Sequence, residues 1–336
     1  MSFLFSRNKQ KTPQDLVRTL YDQLPRLDNT SERRKLIEDV SRNLASMKLI
    51  LHGDETTDPV PDQIALLAQE VYSTDLLILL VKSLPYLEFD SRKDVSVVFT
   101  TLLRRQIGNR SPTVDYLASK PQIFDHLIAS HENSDIVLNI GSILRDCIKH
   151  QVLAKIIIWG ANMWNFFDFL DNGAFENVTD AFTTLLELLS LPENASDWLA
   201  ANHATFINKM GTLMNSKSYI TKRQSLKLMS QLICERKNYT LMFAYVNDPE
   251  NLKQIMILLR DKSKSIQSEA FNIFKIFVAN PKKTKPVYDI LVKNKFKLIE
   301  FLERFNIDKP SSNGGGSGST QTEMFNEEKR FVLKQI

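Results

Sequence analysis

The side chains that carry most enzyme chemistry are few in this chain and far apart. Its five histidines are His52, His126, His131, His150 and His203. The closest pair is five residues apart, a spacing that places the two rings on different faces of a helix and does not suit a shared metal. The sequence contains no glycine-rich phosphate loop, dinucleotide-binding fingerprint, His-Glu-x-x-His pair or EF-hand loop. We therefore expect no enzyme activity, no metal site and no cofactor.

Cysteine use indicates the compartment. The two cysteines, Cys147 and Cys234, both fall within apolar helical segments, so we expect buried thiols rather than a disulfide. The first residues lack the apolar stretch of a signal peptide, and the longest aliphatic run, residues 76–81, is far shorter than a membrane span. The expected location is the cytoplasm, without membrane insertion.

Charge is distributed unevenly along the chain. The net charge is +4, yet residues 215–310 contain 19 lysines and arginines against 9 aspartates and glutamates. This basic third favours an acidic or phosphorylated partner, although surface lysines that merely solvate helices would give the same count. The basic residues come singly between apolar positions and match no nucleic-acid-binding motif. Nucleic acid is therefore not the expected partner.

A first candidate binding surface lies on a helix predicted over residues 219–236. Arg223 and Lys227 are four residues apart and share one face of this helix, opposite an apolar stripe. The stripe consists of Leu226, Met229, Leu232 and Ile233. A solvated face explains the charged pair about as well as a partner contact does. In stacked helical repeats, however, the last helix of each repeat tends to line the concave surface.

A second candidate is the apolar run at residues 255–259. Five consecutive residues cover more than one helical turn, so they cannot all face one core. Either a following helix buries the excess, or part of it remains as an apolar groove. Met256 would suit a groove because its thioether adapts to different shapes, and Lys253, Lys262 and Lys293 would surround it with positive charge. This pattern fits an acidic, aromatic peptide.

The elements that must position these residues form a repeat. A helical pattern recurs at steps of 41, 42, 43 and 45 residues, and we call the residue that anchors each copy its repeat position. An apolar residue directly precedes each repeat position, and a β-branched residue stands eight positions before it. The repeat positions are Leu103, Leu144, Leu186, Met229 and Phe274. Helical periods of about 40–47 residues are typical of armadillo and HEAT proteins. The predicted fold is all-α: an armadillo/HEAT-like helical-repeat solenoid, curved into a right-handed superhelix.

The predicted organisation is one helical-repeat domain over residues 1–310, with about six to seven repeats and an N-terminal cap from about residue 12. Thr12, Pro13 and Asp15 form a good helix start there. Residues 311–322 contain four of the chain's ten glycines and are expected to be a flexible loop, natural or engineered. Residues 323–336 are amphipathic and are expected to form a final helix docked on the last repeat.

Several longer stretches are distinctive. They read Lys-Asp-Val at 93–95, Leu-Arg-Arg-Gln-Ile-Gly-Asn-Arg-Ser-Pro-Thr-Val-Asp-Tyr at 103–116, Tyr-Ile-Thr-Lys-Arg-Gln-Ser-Leu-Lys-Leu at 219–228, Leu-Leu-Arg-Asp-Lys-Ser at 258–263, Glu-Ala-Phe at 269–271, Phe-Val-Ala-Asn-Pro at 277–281, Lys-Leu-Ile-Glu-Phe-Leu at 297–302 and Phe-Asn-Glu-Glu-Lys at 325–329. Together they resemble the mouse-protein-twenty-five family, also called the calcium-binding-protein-thirty-nine family. The resemblance covers nearly the whole chain, and a fungal member is expected.

The resemblance implies a helical scaffold without catalytic activity, which binds a Ste20-type or germinal-centre kinase or pseudokinase and holds the kinase in its active, closed conformation. In animals the implied partner is the STRAD pseudokinase with liver kinase B. In fungi it is a germinal-centre kinase upstream of an NDR-type kinase, in cell polarity, morphogenesis and septation. The implied locations are the cytoplasm and sites of growth, the division septum or the spindle pole, and the chain is expected to be a monomer before it enters a complex.

The resemblance also implies roles for individual residues. Tyr219, Arg223 and Lys227 would lie on the concave, kinase-contacting face. Met256, Lys253 and Lys293 would form a pocket for a kinase tail of Trp-Glu-Phe type. The alternative function is an armadillo-type adaptor that binds another acidic or phosphorylated partner through the basic third.

Overall fold

The computed structural model describes residues 11–28, 33–54, 58–305 and 317–336. Within these ranges the regular structure is α-helical with short 3₁₀ turns, and no β-strand forms. An antiparallel bridge between Ile107 and Arg110 closes a tight turn, in which Gly108 has a φ of +58° that glycine adopts without strain. The all-α prediction is confirmed.

The chain divides into two compact units, Met1–Leu188 and Leu189–Ile336, where the sequence predicts one continuous domain over residues 1–310. The first unit contains α1 (Pro13–Gln23), α2 (Arg33–His52), α3 (Pro61–Ser73), α4 (Leu76–Ser83), α5 (Phe89–Arg104), α6 (Pro112–Ala118), α7 (Gln122–Ala129), α8 (Val137–Ile148), α9 (Gln151–Trp159), α10 (Asn165–Asn172) and nearly all of α11 (Phe175–Leu189). The second unit contains α12 (Pro192–Met214), α13 (Tyr219–Cys234), α14 (Tyr239–Val246), α15 (Pro249–Leu258), α16 (Lys264–Ala279), α17 (Lys285–Arg304) and α18 (Ser317–Gln335).

The C-terminal helix begins earlier than the sequence predicts. Helix α18 starts at Ser317, so residues 317–322 are helical rather than part of a flexible loop. The run of three consecutive glycines, which disfavours a helix most strongly, ends at Gly316, directly before this start. Residues 311–316 lie outside the described residues.

Side-chain caps explain where several helices begin. Thr12 Oγ1 accepts a hydrogen bond of 3.1 Å from the backbone N–H of Asp15, and Pro13 is the first helical residue, as the sequence predicts. Ser218 caps α13 in the same way, and Asp248 caps α15 through the N–H of the second helical residue. Each cap satisfies a backbone N–H in the first turn of its helix and so defines where the helix begins.

The predicted repeat positions share their environment. Directly before each of them lies a buried residue: Leu102, Ile143, Leu185, Leu228 and Ile273. Eight positions before each of them lies another: Val95, Ile136, Val178, Thr221 and Ile266. The repeat positions themselves are buried, apart from Leu186, which is half-buried. The spacing read from the sequence therefore follows the core.

Hydrogen bonds join neighbouring repeats within each unit. In the first unit, the Asn139 amide donates to Ser96 Oγ over 3.1 Å and Thr100 Oγ1 donates to Asp146 Oδ2 over 2.8 Å, at sequence separations of 43 and 46. In the second unit, the Gln254 amide donates to the backbone carbonyl of residue 211 over 2.8 Å, at a separation of 43. These separations match the repeat period, so each bond ties one repeat to the next.

Helices that carry repeat positions pack on neighbouring helices of the repeat array. In the first unit α2 contacts α5 and α5 contacts α8; in the second, α13 contacts α16 and α16 contacts α18. The last contact is aromatic and ionic: the rings of Phe271 and Phe325 are 5.2 Å apart, and Lys275 Nζ lies 2.6 Å from Glu328 Oε1. This stacking of helices at a period of about 40 residues confirms the helical-repeat solenoid.

The two cysteines differ in exposure. Cys147 in α8 is buried, whereas Cys234, the last residue of α13, is exposed. The prediction of two buried thiols is therefore wrong for Cys234. The reason lies in the repeat register: Cys147 stands three residues after Leu144, whereas Cys234 stands five residues after Met229 and so falls on another face of its helix.

No single helix among the described residues is long and apolar enough to cross a membrane. Helix α3 and the segment Leu76–Tyr86 are together long and apolar enough to cross a membrane, but the chain bends by 76° between them. Much of this pair, including Leu67, Leu77 and Leu80, is buried within the first unit.

Candidate functional site

An exposed row of side chains runs along α13. Tyr219, Arg223 and Lys227 recur at four-residue spacing and are exposed, Tyr219 at 48% of its surface. The opposite stripe of this helix, from Leu226 to Ile233, is buried as the sequence predicts. The core thus holds α13 in a fixed rotation that presents the three polar side chains together.

The first residue of this row also contacts the start of α16. The pKa of Tyr219 is lowered, chiefly because Ser265 donates a hydrogen bond to its phenolic oxygen, with smaller contributions from Ser263 and from the positive charge of Arg223. The first residue of the row therefore lies beside the start of α16, although the side chains of the row face solvent.

A partly buried ion pair fixes the loop that brings these serines to Tyr219. Lys222 Nζ, in α13, lies 3.2 Å from Asp261 Oδ2, and Asp261 Oδ1 accepts the backbone N–H of Ser263 over 2.9 Å. Burial acts to raise the pKa of Asp261, but the bonds from Ser263 and Lys222 outweigh it and the pKa is lowered. The carboxylate thus stays charged and holds the loop against α13.

A cavity of about 460 Å³ opens between α15, α16 and α17. Its apolar lining consists of Met256, Leu259, Leu298, Phe301 and Phe305. Its charged lining consists of Arg260, Lys264, Lys297, Arg304 and Glu300. Arg304 and Glu300 pair with each other at 3.1 Å. The cavity therefore combines an apolar interior with a surplus of positive charge, an arrangement suited to an aromatic side chain next to a carboxylate.

The apolar run at residues 255–259 divides between core and surface. Ile255, Leu258 and Leu259 are buried, whereas Met256 is half-buried in the cavity lining and Ile257 is 72% exposed. Both predicted alternatives therefore occur: neighbouring helices bury most of the run, and one residue remains as part of an apolar cavity.

The structure brings Met256 to the cavity but not the two lysines predicted with it. Lys253 pairs with Glu250 over 2.6 Å on the outside of α15, and Lys293 is exposed on α17. Neither is among the residues that line the cavity. Lys297 lines it instead, one helical turn after Lys293. The pocket roles of Lys253 and Lys293 stay predictions.

The exposed row and the cavity meet at the start of α16. Lys264 lines the cavity, while its two neighbours, Ser263 and Ser265, act together to lower the pKa of Tyr219. Three consecutive residues thus connect both surfaces within the second unit. Sequence reasoning missed Arg260, Lys264 and Lys297; a local signal was available only for Lys297, which stands one helical turn after Lys293.

The described residues contain no candidate metal site. No cluster of three or more histidine, cysteine, aspartate or glutamate side chains there is arranged to hold a metal ion. What the second unit offers instead is a ligand-sized apolar cavity and an exposed polar row.

Comparison with known proteins agrees with these features. The family model described as Mo25-like matches residues 3–336. The chain is 44% identical to MO25-like protein 2 of Caenorhabditis elegans, with 97% of this chain and 96% of that protein covered. It is 42% identical to calcium-binding protein 39-like of Mus musculus, with coverage of 99% and 96%, and 40% identical to the Mo25-like protein of Schizosaccharomyces pombe, with coverage of 100% and 99%. The resemblance predicted from the sequence is confirmed, and the chain belongs to the Mo25-like family, whose membership supports a scaffold role.

Proposed function

We propose that this chain is a non-catalytic scaffold that binds and activates a Ste20-type or germinal-centre kinase or pseudokinase. One observation carries the proposal: the exposed row of Tyr219, Arg223 and Lys227 adjoins the Met256 cavity through residues 263–265. A partner with a folded surface and a flexible tail can contact both at once. Family membership supports the scaffold role, and the kinase is our extension of it.

The cavity would hold the tail of the partner. Its volume lies at the lower end of the range for small-ligand sites, enough for one or two aromatic side chains. Met256, Leu298 and Phe301 would contact the ring, and the cations Arg260 and Lys297 would attract a carboxylate on the same peptide. A short acidic and aromatic tail segment is the ligand that meets both requirements.

The exposed row would act on the folded part of the kinase. A scaffold that contacts only the closed conformation stabilises it by the difference between its affinities for the closed and open states. Capture of the tail in the cavity raises the local concentration of the kinase at the row, so a weak contact there suffices. Activation then requires no catalytic group on the scaffold.

The same proposal gives the setting. The kinase would belong to a pathway that leads to an NDR-type or liver-kinase-B-type kinase, in cell polarity, morphogenesis and division. The chain would act as a monomer that joins the kinase in the cytoplasm, at sites of growth or at the division septum.

The test is direct reconstitution. Purified chain is titrated into purified Ste20-type and germinal-centre kinases, and both binding and phosphorylation of a peptide substrate are measured. We expect at least one kinase to bind and to become more active as the chain is added. Binding without any change in activity across the kinases would contradict the activating role, and absence of binding would contradict the choice of partner.

A second candidate follows from the basic third of the chain. Its 19 lysines and arginines against 9 acidic residues would attract a polyanionic or phosphorylated partner without using the cavity. Salt distinguishes the two functions. Binding through phosphate contacts falls steeply as ionic strength rises, whereas an aromatic side chain in an apolar cavity remains bound.

A further inference from the structure

A second groove, in the first unit, is lined by exposed apolar side chains together with polar and charged ones. It lies between α1, α2 and the segment leading into α3, and its volume is about 1020 Å³. Leu49 and Leu66 are each 39% exposed and Val60 is 49% exposed, and all three line the groove. Exposed apolar side chains that gather in one concavity mark a surface that another segment covers.

The chain itself carries a segment of matching chemistry. Residues 1–10, which precede the described part of the chain, read Met-Ser-Phe-Leu-Phe-Ser-Arg-Asn-Lys-Gln. In an extended conformation Phe3 and Phe5 point to the same side, and two cations, Arg7 and Lys9, follow them. We propose that residues 1–10 bind in this groove of their own chain, with Phe3 and Phe5 on its apolar lining.

The geometry at the first described residue supports this occupant. Lys11 lines the groove, and its Nζ donates a hydrogen bond of 3.1 Å to Asn43 Oδ1 on α2. The described part of the chain therefore begins at a residue whose side chain reaches Asn43. From Asn43 to Ile50 the axis of α2 rises about 10 Å. The chain from Lys11 back to Phe5 spans up to about 20 Å when extended, so Phe5 reaches Leu49 and Ile50.

Charge also favours the segment. The groove lining contains three aspartates, Asp39, Asp54 and Asp58, against Lys11 and Arg42. Asp39 pairs with Arg42 within α2, and Lys11 bonds to a neutral amide. The charged residues that line the groove therefore carry one more negative than positive charge, which suits the cations Arg7 and Lys9.

Tethering makes the same-chain occupant preferable to a second copy. A segment attached at the edge of its own groove has an effective concentration in the millimolar range, far above that of free protein in dilute solution. The proposal is independent of the kinase-binding function, because it concerns the other compact unit and can hold or fail whatever the second unit binds.

Disulfide trapping in the full chain tests the proposal. Ser6→Cys is combined with Ser46→Cys, an exposed position that lines the groove on α2. The matched control combines Ser6→Cys with Ser142→Cys, an exposed position on α8 that does not line the groove. Both double-cysteine variants also carry Cys234→Ser, which removes the exposed native thiol. We expect the Ser46 pair to form an intramolecular disulfide at least about tenfold faster, because docking holds the segment near Ser46 at high local concentration.

A third variant tests the anchors. Adding Phe3→Ser and Phe5→Ser to the Ser46 pair should slow its disulfide formation to the rate of the control. Equal rates for the two pairs would overturn the proposal. So would a disulfide that joins two chains in proportion to protein concentration, since that result assigns the groove to a second copy. A fast intramolecular disulfide that survives loss of both phenylalanines would overturn the role given to them.

Discussion

Asp180 Oδ2 lies 3.1 Å from Nε2 of His131, in the core of the first unit. His131 is fully buried and Asp180 is 5% exposed. Arg145 completes the arrangement, because its Nη1 donates to Asp180 Oδ1 over 2.8 Å and to Thr184 Oγ1 over 2.9 Å. A buried carboxylate is tolerated only when its charge is compensated in this way. The cluster joins α8 and the turn before it to α11.

Gly141 makes room for this carboxylate. A Cβ atom on Gly141 would overlap Asp180 Oδ2, so even a methyl group must displace the buried charge. We expect Gly141→Ala to lower the free energy of unfolding by about 2–4 kcal/mol, the range for overpacking combined with a disturbed buried ion pair. Urea denaturation followed by circular dichroism measures the loss.

The neighbouring residue provides the control for Gly141→Ala. Ser142 is exposed on the same helix, so Ser142→Ala should change the free energy of unfolding by no more than about 0.5 kcal/mol. If the two substitutions destabilise the protein equally, helix α8 is sensitive to change in general and the close approach to Asp180 is not the cause.

The two thiols should react at different stages. Cys234 is exposed and Cys147 is buried, so an excess of a thiol reagent should label one cysteine in the native protein and the second only after denaturation. Burial raises the pKa of both thiols, far more strongly for Cys147, while the charge of Lys275 partly offsets the effect on Cys234. Because the thiolate is the reactive form, labelling of Cys234 should accelerate as pH rises above neutrality.

Absorbance of the released chromophore measures this labelling. The Cys234→Ser variant supplies the control, since it should show no native-state labelling at any pH at which the protein is folded. Rapid labelling of two thiols per native chain would contradict the burial of Cys147.

Acid should weaken the packing of α5 on α8 through Asp146. Burial acts to raise the pKa of Asp146, but its hydrogen bonds with Lys149 and Thr100 outweigh burial, and the pKa is lowered. A carboxyl whose pKa is lower in the folded state stabilises the protein above its unfolded pKa of about 4. That contribution is lost as pH falls through the folded pKa.

Asp146→Asn should therefore destabilise the protein by about 1–2 kcal/mol at pH 7, with a difference from the parent that shrinks as pH falls below about 4. Urea midpoints measured across this pH range give the comparison. Asp22→Asn, at an exposed position of α1, is the control and should follow the parent curve. A constant difference at all pH values would show that the amide acts through shape rather than charge.

The repeat was predictable because burial recurs with it. Residues eight positions before each repeat position, such as Val95 and Ile266, must be apolar or small to fit between stacked helices, and this requirement is visible in one sequence. Helix starts with a capping side chain, such as Thr12 and Asp248, were predictable for the same reason: the signal is local.

The composition of the cavity was not predictable. Its lining comes from three helices. The sequence shows which face of each helix is apolar, but it does not show how the three helices are oriented relative to one another. Lys297 lines the cavity, whereas Lys293, one helical turn earlier on α17, does not. The contact between His131 and Asp180 was hidden for a related reason, since the two residues are 49 positions apart and neither stands in a motif.

Mutations in the cavity and in the exposed row should affect different properties, peptide binding and kinase activation respectively. Met256 lines the cavity, so Met256→Ala should weaken binding of an acidic, aromatic tail peptide about tenfold, which corresponds to loss of about 1.4 kcal/mol at a buried contact. Arg223 lies on the exposed row outside the cavity, so Arg223→Ala should leave peptide affinity nearly unchanged and reduce kinase activation instead.

Controls of similar chemistry make this separation decisive. Ile257 is 72% exposed beside Met256 and does not line the cavity, so Ile257→Ala should bind the peptide as the parent does. Lys217 is exposed before α13 begins, so Lys217→Ala removes one positive charge without touching the row and should preserve activation. Fluorescence anisotropy of a labelled peptide gives affinity, and phosphate transfer by the bound kinase gives activation. If Met256→Ala and Arg223→Ala each reduce both properties to the same extent, the cavity and the row act as one contact, because independent surfaces would lose only their own part of the binding energy.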